Sequence, residues 1–118
     1  MKLEIPGVDT KKGLDLCDDD LNIYIRVLRS YVLDVTEALV KMRNVSEAKL
    51  GEYAVSVHGI KSTSEAIGAE EARKTAKQLQ DMAKRGDLAG VLEKNNAFIN
   101  YLENLVNGIN KWLEKNTD

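Results

Sequence analysis

Between residues 21 and 42 an apolar side chain returns at every third or fourth position: Leu21, Tyr24, Ile25, Leu28, Tyr31, Val32, Val35, Leu39 and Met42. An α-helix turns about 100° per residue, so this spacing lines one side of a helix and does not suit a strand. A helix of this length with one apolar face must bury that face against other elements. The rest of the chain supplies partners of the same kind. With one proline, one phenylalanine and little alternating β-branched sequence, nothing argues for a sheet.

Residues 1–8 read as an extended lead-in, because Ile5-Pro6-Gly7 is a turn or extended signal. Asp9 or Thr10 caps a short helix over 9–16, interrupted in quality by Gly13. The run Cys17-Asp18-Asp19-Asp20 is expected to place acidic residues in the first turn of a long helix over 19–44. Ser46 opens a helix over 46–67 with Leu50, Tyr53, Val57, Ile60, Ser64 and Ile67 on one stripe, and Gly68 stands at its left-handed C-terminal position. A helix over 70–85 offers a narrow seam of Ala72, Ala76, Leu79 and Ala83. Gly86 stops it, and Asp87 caps a last helix over 87–115. That helix carries Leu88, Val91, Leu92, Phe98, Ile99, Leu102, Leu105, Val106, Ile109, Trp112 and Leu113. Short connections between amphipathic helices predict an all-α fold: one domain over 1–118, an antiparallel up-down four-helix bundle with a short N-terminal helix across one end.

A net charge of −2 gives no reason to expect nucleic acid or an anionic membrane as partner. Cys17 is the only cysteine, which excludes a disulfide framework and a CxxC pair and reads as a small buried apolar residue. No stretch is apolar enough to span a membrane, and the first residues lack the apolar run of a signal peptide. A reducing, cytoplasmic setting is expected.

The chemistry concentrates in residues 56–68, which hold the only histidine. On the wheel of the 46–67 helix, His58 falls roughly 120–140° from the centre of the core stripe, on the flank toward solvent. Ala54, Lys61 and Ser62 lie one turn away on that flank, with Gly51 and Glu65 two turns away. Gly59 within a helix costs about 1 kcal/mol relative to alanine. It is either a tolerated defect or clearance for a docking surface. A single exposed histidine with no second histidine or cysteine pair makes no zinc site. Proton-transfer catalysis normally wants a concave pocket, and this flank is convex. A convex face suits a nucleophile presented to another protein's active site, and imidazole is nucleophilic near neutral pH without further activation. Lys61 is placed to stabilise the oxygens of a phosphoryl group on His58.

The stretch His58-Gly-Ile-Lys61-Ser62-Thr-Ser-Glu-Ala-Ile-Gly68 fits the H-x-x-K-(G/S)-x-x-x-x-x-G signature of histidine-containing phosphotransfer (HPt) domains. Residues 5–17 with the following long helix resemble the lead-in of HPt domains attached to hybrid sensor kinases, and residues 72–88 resemble the family's post-signature helix and turn. The resemblance implies that His58 is phosphorylated by an aspartyl phosphate on one receiver domain and passes the group to an aspartate on another. It implies that Lys61 stabilises the phosphoryl charge, and that Ser62 and Gly68 give room at the site or close the helix. Ser62 stands where glycine is commonest, and Gly59 beside the nucleophile is unusual. The domain itself would need no cofactor, since Mg²⁺ belongs to the receiver. The implied partners are receiver (response regulator) domains, with the chain acting as a monomer and a phosphocarrier without an ATP site.

The local excess of Lys61, Arg73, Lys74, Lys77, Lys84 and Arg85 over Glu65, Glu70, Glu71 and Asp81 would favour an acidic receiver face. Three other readings share parts of the pattern. A chemotaxis-type kinase domain would have the same fold and signature but receive its phosphate from ATP on a separate catalytic domain. The dimerisation and histidine-phosphorylation domain of a sensor kinase usually has an acidic residue directly after its histidine, where this chain has Gly59, and builds its bundle from two chains. A structural adaptor would carry no phosphate.

Overall fold

Three of the helix starts in this chain are set by aspartates. The first N–H groups of a helix lack partners within it, and a side-chain oxygen just before the helix can accept from them. In the computed structural model, which describes residues 3–117, Asp9 accepts from Lys12 N at 3.1 Å and opens α1 (Thr10–Leu16). Asp20 accepts from Asn22 N and Ile23 N at 3.0 and 3.2 Å and opens α2 (Leu21–Met42). Asp87 accepts from Gly90 N at 2.9 Å and opens α5 (Leu88–Asn116). Between them lie α3 (Leu50–Ile67) and α4 (Glu70–Lys84).

Two expected starts are corrected. Helix α2 has no acidic residue in its first turn. Asp18 and Asp19 instead take left-handed conformations, φ 54° and 58°, in the turn that separates α1 from α2. Short polar side chains tolerate that region better than most. Ser46 makes no capping bond, and Glu47–Lys49 form a single 3-10 turn before α3 begins. At the other ends, Gly68 at φ 86° and Gly86 at φ 75° close α3 and α4 as expected. The lead-in is a tight turn: Val8 N donates to Ile5 O at 3.1 Å, with Gly7 at φ 82° after Pro6, the positions these residues favour in a type II turn. Residues 1–2 of the expected lead-in lie outside the described residues.

All the described helical elements share one core. The most extensive interhelical contact joins α3 to α4, α3 also packs on α2, and α5 packs on both α4 and α2. Helix α1 lies against α3 and α2. The long axis of 46 Å matches the length of α5, about 44 Å for a helix of that many residues. All six stripe residues of α3 and all four of the α4 seam are buried. Of the expected apolar face of α5, Leu92 is 52% exposed and Leu88 only half-buried. No described helix is long and apolar enough to cross a membrane.

Buried polar contacts fix α3 in place. Tyr24 Oη donates to Ile67 O at 2.9 Å, and Tyr31 Oη lies 2.9 Å from Ser64 Oγ. Tyr53 Oη donates to Asn95 Oδ1 at 2.7 Å, while Asn95 Nδ2 donates to Met42 O at 2.8 Å. No buried side-chain nitrogen or oxygen among the described residues lacks a partner. Burial drives the Tyr24, Tyr31 and Tyr53 hydroxyls above their ordinary titration range, Tyr31 to about 12. Gly13 explains how α1 sits so close: a Cβ there would lie 2.5 Å from both Ile67 O and the Tyr24 ring. What reads in sequence as a weakness in the short helix is a close-packing position.

Candidate functional site

Helix α3 carries the site, held from below by Tyr24 and Tyr31 of α2 and by its own Tyr53. His58 is exposed, as its place on the helical wheel requires. Its ring is not free to swing. Gln80 of α4, only 5% exposed, places its side-chain Nε2 2.9 Å from His58 Nδ1. Among the described residues this is the one hydrogen bond of the imidazole, so Nε2 of His58 has no partner among them.

That bond matters for reactivity. A neutral imidazole has one N–H and one lone pair, and the partner of one nitrogen decides which nitrogen keeps the lone pair. An amide can offer either its NH₂ or its oxygen, and the two are nearly isosteric. With the oxygen turned toward Nδ1, Gln80 accepts Nδ1–H and leaves the lone pair on the exposed Nε2. With NH₂ there, the proton sits on Nε2 instead. The orientation of one amide therefore decides whether the lone pair lies on the open Nε2.

All of the residues singled out from sequence except Gly68 lie along α3 and are at least partly open to solvent. Lys61 is half-buried one turn along α3, Ala54 is half-buried one turn before, and Gly59, Ser62 and Glu65 are exposed. A Cβ at Gly59 would meet nothing within 4 Å, so no internal contact requires glycine there. Gly68 does not belong to this surface. It is buried, and a Cβ on it would collide with the backbone of Asp9, so it closes α3 under α1. Its role is the helix end.

Ion pairs take up two of the six bases counted in sequence and two of the four acids, so the net basic excess is unchanged. Arg73 forms a two-point ion pair with Glu70, at 2.6 and 3.0 Å, and Lys77 pairs with Asp81 at 3.3 Å. The Arg73 guanidinium holds the Glu70 carboxyl down at about 2. Lys61, Lys74, Lys84 and Arg85 have no ion pair among the described residues. These are the cations left to meet an anionic partner.

Two open depressions flank α3. One, of about 240 Å³, lies between α2 and α3 beside Val55, Gly59 and Thr63, with Asp34 and Glu37 on its far wall. The other, of about 600 Å³, is bordered by Leu16, Cys17, Ile23, Val27, Ser62 and Ala66. Cys17 is buried and unpaired, and desolvation, with Asp18 and Asp20 adding to it, pushes its thiol up, away from the reactive thiolate. No group of three or more His, Cys, Asp or Glu residues among those described is placed to hold a metal ion.

Gln80 is the residue the sequence reading missed. It sits one position after Leu79 on the buried side of a helix whose apolar seam is narrow. A polar residue next to a seam is the available signal, and its partner on another helix is not readable from local spacing. Comparison with known proteins adds nothing to this geometry: no family model, no curated protein and no solved structure matches the chain.

Proposed function

We propose that this chain is a histidine phosphotransfer domain working in a multi-step phosphorelay. The observation that carries the reading is an exposed imidazole whose Nδ1 is held by a buried amide while Nε2 is left open, with Lys61 one turn away. In this reading α2, α3, α4 and α5 form an antiparallel up-down bundle with α1 across one end. The domain is a monomeric, cytoplasmic phosphocarrier of the kind attached to hybrid sensor kinases.

The lone pair of His58 Nε2 attacks the phosphorus of an aspartyl phosphate on a receiver domain. The N–P bond forms as the P–O bond to the carboxyl oxygen breaks, and the receiver's aspartate leaves as a carboxylate. Nδ1 keeps its proton, which Gln80 accepts through its oxygen, and the ring takes a positive charge. A second receiver's aspartate reverses the step and removes the group. Lys61 sits where an ammonium offsets charge on the phosphoryl oxygens. Phosphoryl transfer depends chiefly on positioning and charge stabilisation, so a rigid helix with one oriented ring suffices on this side. The acidic pocket and Mg²⁺ are the receiver's contribution.

The test is transfer from several receivers, each prephosphorylated on aspartate, to the wild type and to His58→Gln in Mg²⁺. Acid-labile, base-stable label on the wild type alone supports the relay. Label arriving only from ATP with a histidine kinase catalytic domain moves the assignment to the chemotaxis-type domain, and no label from either source leaves a structural adaptor.

A further inference from the structure

We infer that the carboxamide of Gln80 keeps a phosphoryl group on His58 readily exchangeable, because a neutral partner at Nδ1 does not neutralise the charge that the phosphorylated ring acquires. The inference rests on His58 being the phosphoacceptor, and deepens that reading by assigning what sets the energy of the phosphorylated state.

Gln80 of α4 is the group that Nδ1 of His58 meets. At 5% exposure it replaces water on the Nδ1 side of the ring, so the partner there belongs to the protein and not to the solvent. When Nε2 gains a phosphoryl group and Nδ1 keeps its proton, the ring becomes cationic. A carboxylate at hydrogen-bond distance would stabilise that cation, and charge-assisted bonds of this kind are roughly twice as strong as neutral ones. An amide stabilises it only as a dipole. The same amide can turn and donate to Nδ1 once that proton is lost, which a carboxylate cannot do. Gln80 therefore serves every protonation state of the ring and traps none.

The other charged groups around the ring leave this role to Gln80. On α3, Lys61 adds positive charge one turn away, and Glu65 lies two turns along. On α4, Asp81 is bonded to Lys77, and Lys84 lies one turn beyond Gln80. On α2, Asp34 and Glu37 line the depression beside Gly59 and make no hydrogen bond to His58. No carboxylate among the described residues is hydrogen-bonded to Nδ1. A relay intermediate gains from this arrangement, since a group held too tightly is not passed on.

The experiment loads the full chain chemically, without any receiver. Wild type, Gln80→Glu and His58→Gln are incubated at pH 6, below the ordinary imidazole pKa of about 6.5, with phosphoramidate and excess ammonium, so that His58 plus phosphoramidate exchanges with phosphohistidine plus ammonia. The ratio of loaded to unloaded protein is read by intact mass. At the ammonium level that half-loads the wild type, Gln80→Glu is expected to raise that ratio about tenfold, the size of one unit of differential charge interaction at an exposed ring. His58→Gln stays unloaded. A gain in loading cannot come from a damaged fold, so a structural role alone would not produce it.

A ratio within twofold of wild type in folded Gln80→Glu overturns the inference. Should that variant not fold, the wild type alone decides. Its loading relative to a short exposed-histidine peptide is expected within about threefold, and an excess of tenfold or more would show that the fold already holds the phosphoryl group tightly. Because phosphoramidate is the donor, failure of receiver transfer and failure of this inference are read separately.

Discussion

Replacing Gly59 with alanine separates the two explanations for a glycine beside His58. The added Cβ would meet nothing within 4 Å, on an exposed face of a helix that runs from Leu50 to Ile67. Only the intrinsic cost of glycine in a helix interior then remains, about 1 kcal/mol, and much of it acts through the entropy of the unfolded chain. With an unfolding entropy of about 2.1 cal/mol/K per residue, a chain of this length should gain about 4 °C in Tm. Urea unfolding followed by circular dichroism should show a higher midpoint at unchanged slope. A loss of stability, or no gain, would refute the claim that α3 is a regular helix with open space at residue 59. The same variant then speaks to function. If Gly59 provides clearance for a docking partner, Gly59→Ala gains stability while transfer from a receiver slows. Stability gained with transfer unchanged makes Gly59 a tolerated defect.

Further outcomes follow from other contacts. Gly13→Ala should lose about 2 kcal/mol, because its Cβ would press on Ile67 O and Tyr24 at 2.5 Å; a neutral result in a denaturant titration would show that α1 can move away freely. Asn95→Ala should cost about 3 kcal/mol, since it strands the Tyr53 hydroxyl and the Met42 carbonyl inside the core, and a loss below about 1 kcal/mol would mean that water replaces the amide. The buried tyrosines make the fold sensitive to alkali. Their raised titration means that stability is intact below the ordinary value of 10 and falls as pH rises above it, for Tyr31 through about 12. Tyr31→Phe should show a shallower loss between those values, measured as Tm against pH, and a slope equal to wild type would contradict the assignment.

How far the sequence was legible depended on whether a signal was local. The six-residue stripe of α3, the seam of α4, the cap at Asp87 and the left-handed ends at Gly68 and Gly86 are all written within a turn or two of chain. The exposure of His58 followed from the same periodicity. What escaped were polar groups whose partners lie on other elements. Apolar spacing reads Gln80 and Asn95 as surface residues, yet both are buried, with His58 of α3 meeting the amide of Gln80, and Tyr53 of α3 and Met42 of α2 meeting that of Asn95. Gly13 looked like a flaw because the carbonyl and ring that crowd it lie far away in sequence. Ser46 has the side chain of a cap, but the chain enters a 3-10 turn there before the helix proper begins. The candidate site was legible as a pattern around His58, while the partner of its ring was visible only in three dimensions.

The central claim is that His58 presents Nε2, and not Nδ1, as a phosphoryl acceptor. The direct measurement is ³¹P and ¹⁵N NMR of the domain after transfer from a receiver prephosphorylated on aspartate. The account expects one phosphoramidate signal, coupled to His58 Nε2 and absent from His58→Gln. A phosphoryl group on Nδ1, or label that persists in His58→Gln, would contradict it.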